Sequence, residues 1–87
     1  MNNIPAYLVE FIGTFIFMYV IITTGEAIPI GLTLAAMVYF GGKISGGAFN
    51  PAVTIMLFLK KSINHVSLII YLIVQFLAAF LAYQALS

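Results

Sequence analysis

The sequence predicts an all-α membrane protein, with three transmembrane helices and one re-entrant half-helix. Three observations carry that reading. Hydrophobic residues make up 64% of the chain and charged residues only 6%, far from the balance of a soluble domain. The apolar residues fall into three runs that match, or nearly match, a hydrocarbon core of ~30 Å. A fourth run is about half as long and is entered through the loop Ser45-Gly46-Gly47-Ala48-Phe49.

The first span is expected over residues 6–23, ending at the tight link Thr24-Gly25-Glu26-Ala27. The second is expected over 28–42, with Pro29 in its first turn, where a missing N–H does no harm. That run is short, but Lys43 can snorkel to the interface. A helix then starts at Pro51. Proline is favoured as a first helical residue, and Asn50 before it is a strong N-cap. Its apolar run, 52–59, ends at Lys60-Lys61 and rises only about 15 Å, half a bilayer core. Such a helix turns back, and its irregular entry is tolerated only where protein or a watery cavity covers it. The third span is expected over 66–86. Gly13, Gly31, Ala35, Ala78, Ala79 and Ala82 are small residues that let helices approach closely. Tyr7, Tyr39, Tyr71 and Tyr83 are expected as interfacial anchors, and His65 as an interfacial histidine at the start of the third span.

The chain reads as one domain, 1–87. Three spans put Glu26 on one side and Lys43, Lys60 and Lys61 on the other with the N-terminus; the positive-inside rule makes that side cytoplasmic. The N-terminus lacks Lys and Arg before Glu10, so no cleavable signal peptide is expected. The chain has no cysteine and a net charge of +1, which removes thiolate sites and argues against nucleic acid as a partner. No nucleophile–base pair, phosphate loop, paired carboxylates or metal-ligand spacing is present, so neither an enzyme nor a cofactor is expected.

The stretch Ser45-Gly46-Gly47-Ala48-Phe49-Asn50-Pro51-Ala52 resembles the first asparagine-proline-alanine signature of the aquaporin and glycerol-facilitator family. Glu10-Phe11-Ile12-Gly13-Thr14 is similar to that family's first-helix signature. Gly31-Leu32-Thr33 and Gln75 fall where the family has matching residues. The resemblance covers nearly the whole chain but only the first of the family's two inverted repeats.

This resemblance implies pore-lining roles for Asn50, Pro51 and Ala52, and for Ile30 at a position that is aromatic in the filter of many members. Asn50 then has two tasks. It caps the half-helix, and its amide N–H₂ donates to a passing water or hydroxyl, where the helix dipole disfavours cations. A carboxylate inside a span, Glu10, is a functional candidate by default. The resemblance implies a structural role instead, accepting from loop N–H groups around Ala48 and Phe49; a proton relay would need titratable partners that the spans do not offer. Gln75 is expected to satisfy loop carbonyls. Two departures bear on selectivity. The family's filter arginine follows its second signature; the equivalent place after this first signature is Val53, the chain has no arginine, and Ala48 replaces a common histidine.

Two functions from different classes follow. One is a channel for water or small polyols, assembled in the bilayer as a homo-oligomer or with another membrane protein that supplies an inverted half. The other is a non-conducting structural membrane protein, for example in the internal membrane of a large virus. Either way the chain is an integral, multi-pass protein of a cell or virion membrane.

Overall fold

The computed structural model describes residues 3–86, so the first two residues and the last of the 1–87 domain lie outside them. Four helices follow in order: α1, Ile4–Thr24; α2, Ala27–Ser45; α3, Pro51–Leu59; and α4, His65–Gln84. Three of them, α1, α2 and α4, are long and apolar enough to cross a membrane. At ~1.5 Å per residue, α1 is about 32 Å long and α3 about 14 Å. The second helix runs past the 28–42 expected from hydropathy, because Lys43, Ile44 and Ser45 continue it until Gly46 adopts φ 90° and its N–H closes on Gly42 O at 2.8 Å.

Among the helices α1 is central. It packs on α2 and on α4, whereas α3 packs on α4 alone. The face that α4 turns inward is Ser67, Tyr71, Gln75, Ala78 and Ala82, a stripe at helical spacing in which every residue is buried. The outward stripe of Ile69, Ile73, Phe76 and Phe80 is exposed, as lipid-facing residues of a spanning helix are.

The small residues divide. Ala78 and Ala82 are fully buried, as close helix packing requires. Gly13 also sits at a close approach, but what it admits is the ring of Phe49 rather than another helix. Gly31 and Ala35 correct the expectation. Ala35 is exposed and a Cβ at Gly31 would meet nothing within 4 Å, because both lie on a face of α2 turned away from α1.

The turn-back of α3 is visible in one cavity. Asn3 and Ala6 of the α1 start, Ile44 and Ser45 of the α2 end, and Ser62 and Asn64 after α3 all line it. Lys43, Lys60 and Lys61 therefore gather at the end where α1 begins, while Glu26 lies at the opposite end. Asn50, about 14 Å from that end along α3, lies near mid-span.

Candidate half-pore site

The site is built around a loop that could not hold itself in place. Residues 46–50 leave α2 through two glycines at positive φ, Gly46 at 90° and Gly47 at 69°. Phe49 also adopts positive φ, 58°, which costs a non-glycine residue about 1–2 kcal/mol. Its ring supplies the compensation. It is 1% exposed and lies between Gly13 of α1 and Gly41 of α2. A Cβ on Gly13 would come within 2.7 Å of Phe49 Cδ1, and one on Gly41 within 3.3 Å of Phe49 Cζ. Bare backbone at both helices is what makes the slot.

The polar half of the anchor is Glu10, fully buried on α1. Its Oε2 accepts from Ser45 Oγ at 2.6 Å and from Ala48 N–H at 3.1 Å. Its Oε1 accepts from Phe49 N–H at 2.8 Å and from Gln75 Nε2 at 3.0 Å. Four donors on two oxygens fill the acceptor capacity of an ionised carboxylate. A lone buried carboxylate would be prohibitive in apolar surroundings, so this one is held by neutral dipoles aimed at it from the loop and α4.

Gln75 corrects an expectation. Its Nε2 donates to Glu10 and to Thr54 Oγ1, at 3.0 and 2.6 Å, rather than to loop carbonyls. The carboxylate is the strongest acceptor within reach, and Thr54 Oγ1 accepts because it donates its own proton to Asn50 O at 2.9 Å. Gln75 thereby ties α1, α3 and α4 together. Its Oε1 and Thr14 Oγ1 are the buried side-chain atoms without a partner among the described residues. The loop carbonyl Ser45 O is served by Tyr71 Oη, at 2.7 Å. That is a second correction, since Tyr71 is 2% exposed and meets Tyr7 edge-on at 5.9 Å; it is a core residue, not an interfacial anchor. Tyr7 is also partly buried, bonded to Ser67 Oγ at 3.0 Å, while Tyr39 and Tyr83 are exposed.

Ser45, Thr54 and Tyr71 were not read from the sequence as partners in this hydrogen-bond network. A signal for two of them was present: Thr54 lies one turn beyond Asn50, and Tyr71 one turn before Gln75 on the same face.

At the loop's end, Asn50 takes an extended conformation and its Oδ1 accepts from Val53 N–H at 3.0 Å. Thr54 N–H goes to Asn50 O, and Pro51 has no N–H to place. Asn50 Nδ2 and Ala52 N–H carry no hydrogen bond to protein among the described residues, and they share the positive end of α3. Ala52 and Val53 are exposed, and Asn50 and Pro51 half-buried. Ile30 stands apart. It lies half-buried in the first turn of α2, at the Glu26 end, with its N–H on Glu26 O at 3.2 Å. It is thus at another depth than Asn50. Among the described residues no three His, Cys, Asp or Glu side chains gather as a metal site would require.

Comparison with known proteins gives the site a setting. The major intrinsic protein family model matches residues 1–87. The chain is 38% identical over 88 residues to the "Glycerol uptake facilitator protein-like 6" of Lactiplantibacillus plantarum, covering 91% of this chain and 41% of the relative. It is 34% identical over 94 residues to the "Probable aquaporin PIP2-7" of Oryza sativa subsp. japonica, covering 85% of this chain and 32% of the relative. With the "Probable aquaporin PIP1-4" of Arabidopsis thaliana it is 35% identical over 91 residues, at the same 85% and 32% coverage. The chain thus spans 32–41% of the length of these relatives. No solved structure matches it.

Proposed function

Because this chain belongs to the major intrinsic protein family, we propose that it contributes one half of a membrane channel for water or small neutral polyols. The observation that carries the reading is the mid-span end of α3. Capping engages Asn50 Oδ1, which turns the amide so that Nδ2 is the free atom, beside the free Ala52 N–H. Two fixed donors at the positive end of a half-helix bind the oxygen of water or of a polyol hydroxyl and repel cations. A complete pore needs a second half-helix approaching from the other leaflet, as inverted repeats provide. A second copy in the opposite orientation, or another membrane protein carrying such a half, would supply it.

The alternative is a structural membrane protein that does not conduct. Osmotic shrinkage of vesicles containing the purified protein, followed by light scattering, separates the two. Asn50→Ser keeps an acceptor for the cap and removes the amide donor. Water permeability above that of empty vesicles, and lower in Asn50→Ser, is expected. Permeability equal to empty vesicles, in folded samples holding both orientations, overturns the self-paired channel.

A further inference from the structure

The lysine-bearing end of the bundle holds a feature that the half-pore does not use. Helix α3 ends in a Schellman motif: Ser62 N–H donates to Leu57 O at 2.8 Å and Lys61 N–H to Phe58 O at 3.0 Å. The motif places Lys61 at φ 66°, a left-handed conformation that glycine adopts more easily. Helices α1 and α2 do end on glycines at positive φ, Gly25 and Gly46. Here a cation stands in the strained position instead.

Lys61 borders an open cleft of about 550 Å³, together with Ser62, Asn64 and His65. Asn64 spends its Oδ1 on Ser67 N–H, at 2.8 Å, which leaves its N–H₂ as the donor. The floor is apolar, with Ile63 and with Leu59, which is 71% exposed. Lys60 adjoins Lys61, and Lys43 lies at the same end of the bundle. Of the chain's two carboxylates, Glu10 is buried among its four donors and Glu26 is at the opposite end. Among the described residues no carboxylate neutralises Lys60 or Lys61.

Cations and neutral donors above an exposed apolar floor, where helix ends meet the membrane surface, match one amphiphile. We propose that this cleft binds an anionic phospholipid, with its phosphate on Lys61, Ser62 and Asn64 and an acyl chain against Leu59. The lysine bias that orients the chain also turns this end toward the cytoplasmic leaflet, which is rich in anionic lipid. The apolar floor and the location favour a lipid headgroup over free phosphate.

The test is lipid binding to the purified protein in neutral detergent, counted by native mass spectrometry with phosphatidylglycerol and with phosphatidylcholine. The wild type is expected to bind phosphatidylglycerol roughly tenfold or more tightly than phosphatidylcholine. Each lysine contributes roughly fivefold at an anionic surface, so Lys60→Gln with Lys61→Gln should weaken phosphatidylglycerol roughly thirtyfold. Lys61→Gly is the sharper variant. It relieves the strained φ, so its unfolding midpoint should rise while its phosphatidylglycerol affinity falls roughly fivefold, a combination that a purely structural lysine would not give. Equal retention of the two lipids by the wild type, or unchanged phosphatidylglycerol binding in the double variant, overturns the proposal. Displacement of phosphatidylglycerol by millimolar inorganic phosphate overturns the lipid as the ligand.

Discussion

Replacing Glu10 by alanine should loosen the 46–50 loop without dismantling the spans, and the hydrogen bonds allow the magnitude to be worked out. Two of the four donors have somewhere else to go. Ser45 Oγ already lies 3.4 Å from Gly41 O, and Gln75 Nε2 keeps Thr54 Oγ1. Ala48 N–H and Phe49 N–H have no substitute, since both residues are at most 2% exposed. Two orphaned buried N–H groups at about 1–3 kcal/mol each give about 2–6 kcal/mol. Removing the buried charge returns part of that through its desolvation energy, which leaves a net loss of about 1–3 kcal/mol. Glu10→Gln should be milder. Its oxygen at the Oε1 position still serves Phe49 and Gln75, Ser45 Oγ can turn to accept from the new amide, and only Ala48 N–H is stranded. The measurement is denaturant unfolding in detergent, with amide hydrogen exchange read at residues 48 and 49. The expected order is wild type, Glu10→Gln, Glu10→Ala, with faster exchange at both amides in the last. Equal midpoints and unchanged exchange in Glu10→Ala would refute the loop-anchor reasoning.

Two glycines should respond in opposite directions to the same change. Gly13→Ala drives a methyl into the Phe49 ring and should cost about 1–3 kcal/mol, whereas Gly31→Ala, with nothing within 4 Å, should gain about 0.5–1 kcal/mol, both by denaturant unfolding. Tyr71→Phe removes the donor to Ser45 O and should cost about 1–2 kcal/mol in the same assay, with exchange at residues 46–49 accelerated; a surface-anchor role for Tyr71 would leave that exchange unchanged.

Much of this protein was legible one segment at a time. Spans are announced by unbroken apolar length, because a bilayer core leaves no water to satisfy backbone groups and only helices close their own hydrogen bonds. The start of α3 was legible to the residue, since Asn-Pro is a local signal whose consequences, a cap and a fixed φ, are settled within one turn. The Lys60-Lys61 stop was local in the same way.

Partnerships were settled elsewhere. Composition shows that Gly13 and Gly31 are both small, yet one receives a phenylalanine ring and the other faces away from the bundle, and only the relative rotation of α1 and α2 separates them. Four tyrosines look alike in sequence, but Tyr71 falls on the inward stripe of α4 and bonds a loop 26 residues away. Gln75 was legible as a buried amide, while its acceptors were decided by which oxygens three helices bring to one point. A buried polar group must take the partner that packing places within about 3 Å, and that placement joins residues up to 65 apart in the chain, beyond any local pattern.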